Sequence, residues 1–253
     1  MPAGGATRRG NGHPDYIKWM LIAGAVAVAA VLAVLVAKRQ HLFHSDVAVD
    51  RYRFPVAGID VSKHNGKVDF VRVAQDGYEF VFIKASEGAT YRDANFLTNH
   101  RAAKAAGLKV GAYHFFRKNR EGETQAQNFL GAVEGLQLDL PLVVDVEDWD
   151  NDHFVSDTDV ISRLKALVAT LEKKGHKVMV YTNGNGYEKY YKPHLTGKHL
   201  WLCSFTAPGT LVGYGHVFQQ YSHWGEVSGV DGDVDLNVFC GSREEWERFL
   251  KNQ

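Results

Sequence analysis

Eight strand-like runs recur from residue 56 onward, and their spacing constrains the fold more than any other feature. They are rich in β-branched and aromatic residues and cover 56–61, 80–85, 109–115, 140–146, 177–182, 199–205, 217–221 and 234–239. The gaps between the first five are long enough for the crossover helices that parallel strands require. Only about ten residues separate the sixth run from the seventh, and the seventh from the eighth. We therefore predict an α/β fold, a (β/α)5β3 TIM-like barrel in residues 54–253, with a doubly wound open sheet as the alternative.

Three of the gaps carry helical patterns. Residues 157–174 repeat apolar side chains at i, i+3, i+4 and i+7, after Ser156 and before Gly175, which are residues typical of helix starts and ends. Residues 96–106 and 121–133 are the other two predicted helices.

The apolar run at 140–146 leads into two carboxylates, Asp145 and Glu147, spaced i, i+2. Side chains alternate across a strand, so both point the same way, and each raises the proton affinity of the other. Glycoside hydrolysis needs one carboxylic acid to protonate the leaving oxygen and a second carboxylate beside the cationic sugar. The alternative is a strand end that enters a solvated acidic loop, since three more aspartates follow by residue 152.

Polar and aromatic residues collect at the strand ends, which in a barrel face one mouth. The residues expected there are Asp60, Lys84, Glu87, Tyr113, His114, Asp145, Glu147, Tyr181, Trp201, Gln220, Tyr221 and Asp235. Sugars present C–H faces that stack on aromatic rings and hydroxyls that bond to carboxylates, so this composition fits a carbohydrate substrate. The phosphate-binding and dinucleotide-binding glycine motifs are absent from the sequence.

Several of these residues have a structural alternative. Asp60 could cap the turn that follows it. His114, between apolar neighbours, is more typical of a hydrogen-bonded structural histidine than of a catalyst. Trp201 and Tyr221 could pack in the core or line the rim. The run at 183–186, Asn-Gly-Asn-Gly, is most simply a loop.

Residues 19–37 contain no charged side chain and are long enough to cross a hydrocarbon layer ~30 Å thick as a helix. We predict a transmembrane signal anchor here, after a short N-terminal tail at 1–18 and before a tether at 38–53. The flanking basic residues weakly favour the tail inside, which would place the barrel outside the cytoplasm, on the periplasmic or cell-surface side. A cleaved signal peptide and a buried soluble helix are the alternatives.

Charge and cysteine content limit the partners. Residues 1–49 hold five Lys/Arg and two Asp, and the rest of the chain has 24 basic and 27 acidic residues, which gives no electrostatic basis for binding nucleic acid. The two cysteines, Cys203 and Cys240, could pair after export or remain free thiols. The histidines and cysteines lack zinc-site spacing, so no metal is expected.

Five motifs in order carry a resemblance to a known family. They are Gly58-Ile-Asp-Val-Ser-Lys-His-Asn-Gly66, Phe82-Ile-Lys-Ala-Ser-Glu-Gly88 with Tyr91, Gly111-Ala-Tyr-His-Phe115, Val144-Asp-Val-Glu147 and Val234-Asp-Leu-Asn237. Together, from about residue 56 to the C-terminus, they resemble glycoside hydrolase family 25, the Chalaropsis-type lysozymes (N-acetylmuramidases). The resemblance implies a (β/α)5β3 barrel that cleaves the β-1,4 bond between N-acetylmuramic acid and N-acetylglucosamine in the glycan strands of peptidoglycan, without a metal or organic cofactor.

The same resemblance implies roles for individual residues. Glu147 would be the general acid/base, and Asp145 its partner, which steers the N-acetyl group of the substrate as the nucleophile. Asp60 and Asp235 would line the same subsite. Lys84, Glu87 and Tyr91 match the second strand motif and would contact or support the substrate. The functional alternatives are a chitinase-like β-N-acetylglucosaminidase and a non-catalytic module that binds the cell wall.

Overall fold

The computed structural model describes residues 15–42, 47–151 and 154–253. The chain forms two compact units, with the division between residues 46 and 47. In the first unit the described residues form one helix, α1 (Asp15–Leu42). Its Tyr16–Val34 portion is apolar, long enough to cross a membrane and not buried against other residues. Most of the predicted N-terminal tail, and residues 43–46 of the predicted tether, lie outside the described residues.

The second unit is built around a closed barrel of eight strands. In chain order the strands are β1 (Ala57–Val61), β2 (Phe80–Glu87), β3 (Tyr91–Arg92), β4 (Lys109–Phe115), β5 (Leu142–Asp145), β6 (Val178–Asn183), β7 (His199–Cys203), β8 (Phe218–Gly225) and β9 (Val234–Phe239). The barrel order is β1-β2-β4-β5-β6-β7-β8-β9, and β9 pairs back with β1. The short strand β3 forms a hairpin with β2 beside the barrel. All neighbours in the barrel are parallel except β9, which runs antiparallel to both β8 and β1.

Helices follow the first five barrel strands, and the last three strands are joined without one. The helices are α2 (Phe70–Gln75), α3 (Phe96–Ala105), α4 (Gly122–Val133), α5 (Asp157–Lys173), α6 (Gly184–Gly186), α7 (Lys192–His194) and α8 (Arg243–Lys251), with a turn of π-helix (Tyr187–Tyr191) between α6 and α7. The predicted α/β barrel is therefore confirmed, and the open sheet is wrong. The loop predicted at 183–186 is also wrong, because Asn183 accepts a hydrogen bond from the Gly186 backbone N–H and caps a helical turn.

Two glycines give the barrel interior its shape. A Cβ at Gly58 on β1 would lie 2.3 Å from the Phe80 ring, and a Cβ at Gly111 on β4 would lie 2.4 Å from the Phe82 ring. Both phenylalanines come from β2, which lies between those two strands. The glycines therefore make room for two fully buried aromatic rings in the interior of the barrel.

The far end of the barrel is closed by α8. This helix begins with a capping box formed by Ser242 and Glu245. It packs Trp246 and Phe249 against the interior aromatic cluster that contains Phe218. The opposite end, where the parallel strands terminate, opens into a cleft.

Candidate active site

The open end of the barrel forms a cleft of about 890 Å³. Ten of the residues predicted for the mouth line it: Asp60, Lys84, Glu87, Tyr113, Asp145, Glu147, Tyr181, Trp201, Gln220 and Asp235. The alternation of side chains along each strand decides which residues face the cleft. On β5, Val143 packs in the interior cluster and Val144 packs outward against the helices, so the next inward position is Asp145.

Asp235 reaches this cleft from the start of a strand and not from its end. Because β9 is antiparallel, its first residues lie at the mouth, and Asp235 is directly opposite Asp60 of β1. The expectation that it lies at the carboxyl end of its strand is therefore wrong, and the structure places Asp235 among the residues that line the cleft.

The buried Asp60 and the partly buried Asp235 form a carboxyl pair. Asp60 Oδ2 accepts hydrogen bonds from Gln220 Nε2 at 2.9 Å and from Asn237 Nδ2 at 2.8 Å. Burial raises the pKa of Asp60, and these donors oppose the rise. Burial and the adjacent Asp60 together raise the pKa of Asp235 to about 9. At neutral pH Asp235 therefore holds a proton, with which it donates a hydrogen bond to Asp60.

Asp145 is a buried acid of the cleft. Burial, and then the charge of Glu147, raise its pKa well above the ordinary value. Its Oδ1 is buried and has no hydrogen-bond partner among the described residues. A buried oxygen in that state has the capacity to accept a hydrogen bond from a ligand.

Glu147 has a pKa of about 7, because burial raises it and the nearby Asp60 and Asp148 add to the rise. One contact opposes this effect: Asn183 Nδ2 donates to Glu147 Oε1 at 3.2 Å. A carboxyl group with this pKa can both hold a proton and release it near neutral pH.

The backbone around Glu147 is fixed by two side chains. Thr182 Oγ1 donates to the Val146 carbonyl at 2.6 Å, and Asn151 Nδ2 donates to the Glu147 carbonyl at 3.0 Å. Beyond them, Asp148 pairs with the buried Lys118 and accepts a hydrogen bond from the Tyr190 hydroxyl at 2.6 Å. The acid is therefore held on a rigid support, as precise proton transfer requires.

One side of the mouth carries a chain of ion pairs. Glu87 Oε2 accepts from Lys84 Nζ at 2.7 Å, and Glu87 Oε1 accepts from Arg117 Nη2 at 2.6 Å. Arg117 also pairs with Asp150 at 2.8 Å. Tyr91 lies beside this network, outside the cleft lining, with Lys63 Nζ 5.0 Å from its ring centroid.

Aromatic residues form the floor of the cleft. Trp201 stacks on Phe82 and donates from Nε1 to Asn237 Oδ1 at 2.8 Å. The Tyr181 hydroxyl donates to Gln220 Oε1 at 2.8 Å. Each polar end has a defined partner within the protein, so hydrogen bonds of the barrel fix the orientation of both rings.

Besides Tyr91, two predicted binding residues, His114 and Tyr221, lie outside the cleft lining. His114 points out of the barrel, where its imidazole bonds to Ser86 Oγ at 2.8 Å and Gln125 Oε1 at 3.2 Å, and burial lowers its pKa to about 4. Tyr221 packs outside the barrel with Phe54 and Val238. Each follows a cleft residue directly, so strand alternation turns it to the opposite face, and both predictions are wrong.

The cleft also contains residues that sequence reasoning missed. Asn183 lines the cleft and donates to Glu147, and the buried Asn237 beneath the cleft donates to Asp60. Further lining residues are Ser62, His64, Phe115, Trp149, Asp150, Cys203, Ser204, Phe205 and His223. Asn237 lies two positions after Asp235, a spacing that places both on one face. The cysteines Cys203 and Cys240 are free thiols. Among the described residues no group of three or more His, Cys, Asp or Glu could hold a metal ion.

Comparisons with known proteins agree with this geometry. The sequence model of Glycosyl hydrolases family 25 matches residues 59–230, more than half of the chain. The autolytic lysozyme of Clostridium acetobutylicum is 35% identical over 182 residues, which are 72% of this chain and 55% of that protein, so the chain spans about half the length of that relative. Lysozyme M1 of Streptomyces globisporus is 32% identical, over 74% of this chain and 68% of that protein.

A solved structure shows the same fold. The family 25 glycosyl hydrolase of Bacillus anthracis superposes with a TM-score of 0.74 at 34% identity, covering 82% of this chain and 98% of the other.

Proposed function

The chain belongs to glycosyl hydrolase family 25, and on that premise we propose that it is a lysozyme that cleaves the β-1,4 bond between N-acetylmuramic acid and N-acetylglucosamine in peptidoglycan. The observation that carries the proposal is Glu147, a carboxyl group with a pKa of about 7 in a cleft lined by five further acids. The chitinase-like enzyme and the non-catalytic module are not favoured, because two of the relatives are named lysozymes. All four acids assigned to catalysis, Asp60, Asp145, Glu147 and Asp235, also line the cleft.

Glu147 acts first as the general acid. Its proton passes to the glycosidic oxygen as the bond from that oxygen to the anomeric carbon breaks, and the electron pair leaves with the oxygen. The positive charge that develops on the sugar is stabilised by the carboxylates in the same cleft, since their interactions are strong where water is scarce.

The N-acetyl group of the cleaved sugar is the nucleophile in this proposal. Its carbonyl oxygen attacks the anomeric carbon as the leaving group departs. Asp145 Oδ1, which lacks a partner among the described residues, accepts a hydrogen bond from the N–H of the N-acetyl group. Water then attacks the same carbon, Glu147 takes its proton, and the acetamido group is restored. The two displacements return the anomeric carbon to its original configuration.

The other two acids set the charge of the cleft. Asp235 keeps a proton at neutral pH because its pKa is about 9, so the Asp60 and Asp235 pair carries no more than one negative charge. A pair with one ionised carboxyl group suits a substrate that has no formal charge at the reacting centre. A second ionised group would be costly, because substrate binding would remove water from both charges.

We further propose that α1 anchors the protein in a membrane, with the barrel on the extracytoplasmic side. The apolar Tyr16–Val34 portion supports the anchor, and the location of peptidoglycan supports the orientation. A cleaved signal peptide would bring the barrel to the same side, and the size of the mature protein distinguishes the two.

Replacement of Glu147 tests the proposed function. Glu147→Gln keeps the shape of the side chain but cannot release a proton, so we expect release of dye from labelled peptidoglycan to fall by at least ~10³-fold while binding to the insoluble polymer persists. Glu123→Gln, on the exposed surface of α4, is the control. Activity close to wild type in Glu147→Gln would refute the assignment.

The stereochemistry tests the route. Proton NMR of the first product should show the β anomer, as retention requires. An initial α product would exclude participation of the N-acetyl group.

A further inference from the structure

Three aromatic rings form a ladder that leads out of the cleft at its rim. Phe205, just after β7, and His223, on β8, both line the cleft, and their ring centroids are 4.3 Å apart. The His223 ring is in turn 4.7 Å from the ring of Trp224. Phe205 is 47% exposed and Trp224 is 39% exposed. Large rings that remain exposed next to a binding cleft indicate a surface for a ligand, and these three residues are called the ring ladder below.

An irregularity in β8 creates the ladder. In its pairing with β9, Ser222 is opposite Leu236 and Gly225 is opposite Val234, so β8 has one more residue than its partner over this stretch. Regular alternation would turn only one of two consecutive side chains outward, but here both His223 and Trp224 are exposed. A β-bulge beside an active site commonly redirects side chains in this way.

The loop that carries Phe205 is fixed to the barrel. Gln219, which is fully buried, donates from Nε2 to the carbonyls of Ser204 and Thr206 at 2.8 Å each. The Ser204 backbone N–H also donates to the Gln220 carbonyl at 2.9 Å. Phe205 is thus held in place by bonds on both sides, so it loses little conformational entropy when a ligand binds.

We propose that the ring ladder is a glycan subsite that receives sugar rings beyond those at the cleaved bond. The inference rests on the proposed function, and it adds a preference for long glycan strands over short fragments. The C–H faces of β-linked sugars are flat and apolar, so they match exposed aromatic rings better than a charged or peptide ligand does. The ladder is continuous with the catalytic cleft, as the path of a single polysaccharide chain requires.

The test compares substrates of two lengths. Peptide-free glycan fragments of four and of eight sugars are hydrolysed by the full chain and by Trp224→Ala and Phe205→Ala. We expect the ratio of kcat/KM for the long fragment to that for the short one to fall by about tenfold in either variant, through KM, because stacking on one aromatic ring contributes about that much to affinity. Phe205→Trp, which keeps a ring, should restore most of the ratio.

Tyr52→Ala is the matched control, since Tyr52 is a highly exposed aromatic residue of the same unit outside the cleft lining. Thermal unfolding of each variant is measured beside the kinetics. Because each kcat/KM ratio compares two substrates on the same protein sample, a loss of folded protein does not change it. An unchanged ratio in both ladder variants, or an equal loss in Tyr52→Ala, would overturn the subsite.

A binding measurement separates this inference from the proposed function. Calorimetry with the eight-sugar fragment and the Glu147→Gln chain should show affinity that Trp224→Ala, made in the same background, weakens about tenfold. Absence of hydrolysis in the wild-type chain refutes the proposed function, whereas equal affinity in the two chains refutes the ladder alone.

Discussion

Removal of the Asn183 side chain should move the pH at which the enzyme loses activity. Asn183 Nδ2 donates to Glu147 Oε1 at 3.2 Å and so favours the ionised acid. A hydrogen bond to a charged group is worth ~1.5–3 kcal/mol, and this long one about 1 kcal/mol. Since about 1.4 kcal/mol equals one pH unit, Asn183→Ala should raise the pKa of Glu147 from about 7 by about 0.7. At pH 8 the protonated fraction would then rise from about a tenth to about a third.

The assay is the pH profile of kcat/KM on soluble peptidoglycan fragments, whose alkaline limb reports loss of the proton from the acid of the free enzyme. Asn183→Asp is the second variant, because it keeps the side-chain oxygen that accepts from the Gly186 backbone N–H. Its added negative charge should raise the pKa of Glu147 further and so move the alkaline limb to higher pH. Asn252→Ala, at the exposed end of the chain, is the control. An alkaline limb that stays in place or moves to lower pH in both Asn183 variants would show that this contact does not govern Glu147.

Three other results follow from the structure. Gly111→Ala should lower the free energy of unfolding by ~1–3 kcal/mol, because the new Cβ would meet the Phe82 ring. Gly184→Ala is the control and should change that free energy little, since Gly184 has open space around it. Equal urea midpoints for the two variants would contradict this prediction. The raised pKa of Glu147 means that wild-type stability is lost as pH rises through about 7, so Glu147→Gln should gain stability over wild type at pH 8 and not at pH 4, and a pH-independent difference would count against it. Residues 50–253 should remain in the supernatant after mixing with lipid vesicles while the full chain floats with them, and identical behaviour would exclude an anchor.

The barrel and its acids could be predicted from sequence because both depend on short-range patterns. Strand period placed Asp145 and Glu147 on one face, and the spacing of the strands indicated the barrel. The same rule should have excluded His114 and Tyr221, since each directly follows a residue assigned to the cleft. Strand alternation alone therefore places both residues on the outer face of the barrel.

Other features depend on contacts distant in sequence. Asn183 contacts Glu147 across 36 residues, and Asn237 contacts Asp60 across 177. The antiparallel direction of β9, which brings the first residues of the strand to the mouth, is also a property of the closed sheet. The helix α8 is different, because its capping box at Ser242 and Glu245 is a local signal that was overlooked.

A direct titration of Glu147 tests the central claim. Carbon-13 NMR of protein labelled at the glutamate side-chain carboxyl carbon, assigned by the signal that disappears in Glu147→Gln, follows its ionisation from pH 3 to pH 9. The geometry of the cleft predicts a midpoint near the value of about 7 that burial and the nearby acids produce. A midpoint close to the ordinary glutamate value of about 4.3 would mean that the acid is ionised at neutral pH and cannot protonate a glycosidic oxygen.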